Sequence, residues 1–456
     1  MSLKKILSLL LSLTVLLGLA VGFAAPAAAY TLPDTVNLHA QAAAVVFLGS
    51  DAAHDVFLLD KNADEVHAPA ALVRLMVGAY ALKQIGEKNI NMETAGGTYT
   101  LELFNRYVAG TGVTAAGMEF GETWSVKDLL TVSLIQTASD AVITLAATVG
   151  GSVEEFVAGM NALAKEIGCK QTHFANVTGL DSLSQYTTAR DLYRILRYAM
   201  SLPHFTDLIS QVQYSFTPLS GGQGYTIVNR VDMLRASSTF RYTPLKFGRT
   251  GLSEHEGWGL ASVAADSGYE YMVIVLGCPV KSADGKVGLQ YTDSIDLYRW
   301  AFRNFSYKPL LSDSEILGSI KVKHVWGRDA VNLVPKQAFS TVVYNEVKPE
   351  EVIKKVTVNE TELKAPITAG TVYGKVELIV NVDEKIGEVE LVAAESMNSN
   401  FLLVAVSYIG GIFTSVWFWL IFGLIALLAA GYIGYAVLDA RRHKRRLRNR
   451  KKSGRR

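Results

Sequence analysis

The chain has 456 residues, half of them hydrophobic and 19% charged, which is enough sequence for two or three domains with filled cores. Its formal charge of +2 conceals an asymmetry: without Lys4, Lys5 and the basic C-terminal run, 31 Lys and Arg face 42 Asp and Glu, about −11. A main body so acidic excludes an extended nucleic-acid-binding surface.

Lys4 and Lys5, an apolar run from Ile6 to Phe23, and Ala27, Ala28 and Ala29 read as a signal peptide over 1–29, so the mature chain starts near Tyr30 outside the cytoplasm. Ala43 to Leu48 and Val56 to Leu59, on either side of Gly49-Ser50-Asp51, predict a hairpin entering a sheet. From Ala70 to Ile85 the residues Leu72, Leu75, Met76, Ala79 and Leu82 form one stripe, which predicts a buried helix. Ser125 with Asp128 resembles a capping box and starts a helix that carries the chain to Thr137-Ala138-Ser139-Asp140. A better box, Ser152 with Glu155, opens a helix through Phe156, Met160 and Leu163, with Gly168 placed to end it. Thr188 to Met200 is a further helix with Pro203 beyond its end.

Trp258–Ala265 and Tyr269–Leu276 flank Asp266-Ser267-Gly268, a turn sequence, and predict a central hairpin. His255 lies between Glu254 and Glu256, and with no second spaced His this reads as an exposed charged loop, with no metal site. Cys169 and Cys278, the only cysteines, are read as two free, mostly buried thiols. Beyond Leu310 the alternating runs Ile316–Lys323, Val352–Val358, Lys375–Val382 and Glu388–Val392 predict a small β-sandwich. Gly410 to Leu438 carries no charge and, at ~1.5 Å per residue, exceeds the ~30 Å hydrocarbon core. The basic run from Arg441 to Arg456 marks the cytoplasmic side of that span.

Met160-Asn161, running to Gly168, then Thr172-His173-Phe174, Asn176, Gly179-Leu180-Asp181 and Tyr186-Thr187-Thr188-Ala189-Arg190-Asp191 resemble the D-alanyl-D-alanine carboxypeptidases, the low-molecular-mass penicillin-binding proteins. Lys364-Ala365-Pro366-Ile367 with Gly370 and Gly374 is similar to the β-rich C-terminal domain of that family. The resemblance implies an α/β (α+β) fold of the β-lactamase/transpeptidase kind, an antiparallel sheet flanked by helices. The expected order is a signal peptide (1–29), that domain (30–310), a β-sandwich (311–398), a transmembrane helix (408–438) and a basic tail (439–456).

All three family site motifs are altered. Where the family has Ser-x-x-Lys, nucleophile and base, this chain has Ala71 and Arg74. Ala71 offers no oxygen, and a guanidinium does not act as a base at neutral pH. Ser-x-Asn has become Thr137-Ala138-Ser139, and Lys-Thr-Gly has become Arg249-Thr250-Gly251. The resemblance gives those polar positions, Thr137, Ser139, Arg249, Thr250 and Gly251, to substrate binding, with Arg249 facing the substrate's terminal carboxylate in a bidentate fork. The expected protein is a single-pass membrane protein without cofactor, its ectodomain outside and its C-terminus in the cytoplasm. It would be a non-catalytic homologue that binds D-Ala-D-Ala stem peptides of peptidoglycan or a cell-wall synthesis partner. Two alternatives are an active enzyme using Ser139 as nucleophile and a structural scaffold without ligand.

Overall fold

The computed structural model describes residues 30, 32–33, 36–381 and 384–453, with side chains to residue 444. The expected signal peptide lies outside the described residues. The chain divides into two units. One runs to Leu310 and takes in Ser340–Ile353 and Ile379–Gly387; the other holds Leu311–Phe339, Lys354–Leu378 and the chain from Glu388 on.

The first unit is built on a five-stranded antiparallel sheet. β1 (Ala42–Phe47) and β2 (Val56–Lys61) form the expected hairpin. Helices α1 (Val73–Glu87), α2 (Val126–Ile135), α3 (Ser139–Gly150), α4 (Val153–Glu166) and α5 (Ala189–Met200) follow. Then come β3 (Leu245–Ser253), β4 (Gly257–Asp266), β5 (Tyr269–Cys278) and α6 (Leu289–Asn304). The strand order is β2-β1-β5-β4-β3, which leaves β3 at an edge.

Both faces of the sheet are covered, because alternate side chains leave a strand on opposite sides. Ala42, Ala44 and Val46 of β1, with Met272 and Ile274 of β5, join the core that holds α1 to α5. Ala43, Val45 and Phe47, with Tyr271 and Val273, join the core of Leu297, Tyr298 and Ala301 on α6. A strand buried on both sides reads as a continuous apolar run.

Helix α1 is the buried helix expected, and its burial reaches beyond the stripe to Arg74, Val77 and Gly78, because α2, α3, α4 and α5 all pack on it. It also begins at Val73, preceded by a tight 3-10 turn over Ala70–Leu72 whose first residue has φ +45°. A left-handed alanine breaks the regular helix there.

The capping residues stand as read. Ser152 accepts from Glu155 N at 3.1 Å, and Gly168 follows the end of α4 with φ +82°. Ser125 accepts from Asp128 N at 3.0 Å. Thr188 accepts from Asp191 N at 3.0 Å, and the Asp191 carboxylate in turn accepts from Lys170 N, Gln171 N and Thr172 Oγ1. That links the start of α5 to the segment following α4. Cys169 is half-buried and Cys278 buried, both unbonded.

The second unit is β-rich. β6 (Gly318–Lys323), β7 (Ala330–Pro335), β8 (Ile353–Val358), β9 (Glu362–Lys364), β10 (Val372–Val380) and β11 (Glu384–Ala393) form one sheet in the order β8-β10-β11-β7-β6-β9. On β6, Ile320 and Val322 are buried between exposed Ser319, Lys321 and Lys323, the alternation the sequence carries. Two helices end the chain, α7 (Phe401–Thr414) and α8 (Val416–Ser453), separated at Ser415. The stretch Val416–Lys444 is long and apolar enough to cross a membrane. Trp417 and Trp419 thereby fall in the first turns of α8, where a membrane interface places aromatic side chains.

Candidate active site

Four pieces of backbone converge on Ala71. They are the Ala70–Leu72 turn, the junction between α2 and α3, the edge strand β3, and the loop through Thr178 and Gly179. β3 pairs with β4 only, Arg249 opposite Ala261 and Thr250 opposite Leu260, so its other edge faces the turn. The approach is close. A Cβ on Gly251 would stand 2.8 Å from Ala71 N and 3.1 Å from Leu72 N, and one on Gly179, at φ +87°, would stand 2.5 Å from Ala70 O. Only glycine permits both contacts.

Ala71 is buried and presents a methyl group. Arg74, one helical turn on, is fully buried and donates from Nη1 to Ala138 O at 3.0 Å and from Nη2 to Thr178 O at 3.2 Å. Its Nε has no partner. Arg249 is 1% exposed and donates from Nε to Ala71 O at 3.1 Å and from Nη1 to Leu134 O at 2.9 Å, while Nη2 is unpaired. Each arginine therefore links separate elements through carbonyls: Arg74 joins α1 to the α2–α3 junction and the Thr178 loop, and Arg249 joins β3 to the turn and the end of α2.

Neither guanidinium is hydrogen-bonded to a carboxylate among the described residues. Burial, and next the repulsion of Arg249, holds Arg74 well below the ordinary guanidinium range, with Asp140 opposing. Burial, and next Arg230, pushes Arg249 down to about 9. Burying a cation without an acid is costly, and here backbone carbonyl dipoles supply the compensation. Of the five N–H groups of Arg249, that of Nε and one on Nη1 go to carbonyls, while both on Nη2 lack a partner.

The remaining positions differ in availability. Ser139, the first residue of α3, is 2% exposed, and no His, Lys or carboxylate bonds its hydroxyl among the described residues. Thr137 is half-buried, with its hydroxyl 3.4 Å from Gln136 Oε1. Thr250 directs its hydroxyl inward to Gly259 O at 3.0 Å. Leu252, two residues on, is exposed on the rim.

Three residues have supporting roles that the motifs did not assign. Asp140 accepts from the backbone N–H groups of Ala116, Gly117, Met118 and Ala141, and so holds the 114–118 segment beside α3. Its only sequence signal is an acid at the start of a helix. Asp181 accepts from Ser253 Oγ at 2.8 Å and Glu254 N at 2.9 Å, fastening the loop to the end of β3. Glu256 accepts from Ala68 N at 3.0 Å and meets His67 Nδ1 at 2.8 Å, His67 itself being 5% exposed. The 254–256 turn is thus not simply an exposed charged loop: its third residue clamps the segment leading to Ala71.

Comparison with known proteins agrees with this architecture. A family profile described as D-alanyl-D-alanine carboxypeptidase matches residues 30–279, and one described as penicillin-binding protein 5, C-terminal domain, matches residues 305–399. The chain is similar to the D-alanyl-D-alanine carboxypeptidase DacC of Escherichia coli, 28% identical over 80% of this chain and 85% of that protein. It is also similar to DacF of Bacillus subtilis, 24% identical over 75% of this chain and 82% of that protein. Among solved structures, penicillin binding protein 5 of Haemophilus influenzae superposes with a TM-score of 0.62 at 22% identity, covering 81% of this chain and 99% of that one. The carboxypeptidase DacD of Francisella tularensis gives 0.65 at 21% identity, covering 84% and 98%.

Proposed function

The chain belongs to the D-alanyl-D-alanine carboxypeptidase family of peptidoglycan metabolism, and from that premise we propose that it is a non-catalytic member, anchored at the outer face of the membrane, that binds D-Ala-D-Ala-ended stem peptides. One observation carries the reading. The position that would attack a carbonyl is Ala71, and the position that would take the proton is Arg74, buried and bonded to Ala138 O and Thr178 O. An acyl-enzyme needs a nucleophile with a base beside it, and here both are absent. Ser139 is no replacement, since no base is hydrogen-bonded to it and the nearest acid, Asp140, is held by four backbone N–H groups.

Binding asks less of the site than catalysis. Arg249 Nη2 is a cationic donor without an acid, and a peptide carboxylate is the group such a donor accommodates. Thr137 and Ser139 lie at the α2–α3 junction and Gly251 on the edge of β3 that faces Ala71, and where that edge is clear of the turn it would offer backbone groups to an extended peptide. The apolar part of α8, Val416 to Leu438, would cross the membrane once, with the basic run that follows it on the cytoplasmic side.

Titration calorimetry of the full chain in nanodiscs with a peptide ending in D-Ala-D-Ala tests the reading. Saturable binding, weakened at least about tenfold by Arg249→Ala and restored in part by Arg249→Lys, is expected. Absence of saturable binding would leave the scaffold reading. Release of D-Ala, abolished by Ser139→Ala, would replace it with the enzyme reading.

A further inference from the structure

We infer that the turn between β6 and β7, carrying Trp326, is a second membrane contact, seated at the headgroup boundary beside the start of α7. The inference rests on the reading of α8 as a membrane span. It begins with lengths. From Ser396 to Leu438 the chain has no charged residue. Val416 to Leu438 alone covers ~34 Å as helix, more than the ~30 Å core. The 14 residues of α7 are therefore in excess of what a span needs.

α7 is nevertheless apolar, and none of its residues is buried in the protein: Phe401, Leu402, Val406, Tyr408, Ile412 and Phe413 are all exposed. A stalk of such residues standing in water would expose a large apolar surface without return. With the core already filled by α8 and a break at Ser415 between the two helices, α7 fits along the interface.

That placement fixes where the β-rich unit meets the bilayer. Asn400 caps α7, its Oδ1 accepting from Leu402 N at 2.9 Å, and its own N–H donates to His324 O at 2.7 Å. The first turn of α7 is thus fastened to the β6–β7 turn, whose shape is set by left-handed His324 and Gly327. Trp326, at the tip, is 72% exposed. Its two bases are paired, Lys323 with Glu362 and Arg328 with Glu395, and Asp329 is the further acid of the turn. A tip with its bases paired and one bare indole enters the headgroup layer at modest cost, and indole rings favour that depth.

Fluorescent labels on single introduced cysteines in the full chain, reconstituted in phosphatidylcholine–phosphatidylglycerol nanodiscs, test this. The native thiols are poor targets, since burial raises both, Cys169 to about 12. The positions are Trp326→Cys, Gln337→Cys in the exposed turn at the other end of β7, and Leu427→Cys within α8. A headgroup nitroxide lipid is expected to quench the label at 326 at least about twofold and leave that at 337 unchanged, while an acyl-chain nitroxide quenches 427. If 427 is quenched and 326 is not, or if 326 and 337 respond alike, the contact is overturned and the span stands. If 427 is not quenched, the span itself fails and this inference with it.

Discussion

At the scale of single residues, the substitutions at the site do different work. Ala71 offers only a methyl group, and the backbone around it is tightly held, with left-handed Ala70 before it and glycine-only approaches from Gly179 and Gly251. Arg74 and Arg249 do more than preserve charge, since between them they hydrogen-bond four carbonyls on separate elements. A buried cation without an acid is a weak source of stability, so Arg74→Met should lower the unfolding free energy measured in urea by no more than about 1 kcal/mol, or raise it. Ala138 O keeps its bond from Val142 N in that variant. Arg74→Ala, which adds an empty volume, should lower stability by about 2–4 kcal/mol. A large loss with Met would mean that the guanidinium itself, rather than its volume, holds the junction.

At the scale of elements, much was legible in the sequence. The Ser152 box with Gly168, the Thr188 cap and the two hairpins are local patterns, and local patterns survive folding when tertiary packing agrees with them. What the sequence did not carry is long-range. That Arg249 points into Ala71 O and Leu134 O, that Thr250 turns its hydroxyl to Gly259 O, and that Glu256 clamps His67 all depend on which segments the sheet order brings together. α1 was legible as a buried helix from its stripe, but that burial extends to Arg74 depends on the four helices packed on it. The contact of β3 with the Ala70–Leu72 turn gives the element-scale prediction. Gly251→Ala forces a methyl to within 2.8 Å of Ala71 N and should cost about 1–3 kcal/mol in chemical denaturation. Gly168→Ala meets no atom within 4 Å and should cost only the left-handed strain, about 1 kcal/mol.

For the whole molecule, alkaline stability follows from its buried tyrosines. Burial pushes Tyr99 and Tyr242 up to about 12 and raises Tyr271 and Tyr298 as well, against ~10 in an unfolded chain. The folded state keeps protons that the unfolded state releases, so this stabilisation is whole below pH ~10 and is lost as pH rises toward ~12. The tyrosine contribution should be level from about pH 8 to 9.5 and fall beyond 10, opposed above about 9 by Arg249, whose lowered folded value favours folding as pH rises. Urea midpoints of Tyr242→Phe should therefore fall less steeply with pH than those of the natural chain. In the function proposed above, the family fold surrounds a site in which a methyl group and a buried cation, Ala71 and Arg74, stand where nucleophile and base would be. The central claim of that proposal is the absence of acyl-enzyme chemistry, and intact-mass spectrometry of the full chain after incubation with a penicillin tests it most directly. The account predicts an unmodified mass for the natural chain, with a one-penicillin increment only when Ala71→Ser and Arg74→Lys are combined. A one-penicillin increment on the natural chain, at any serine, would contradict it.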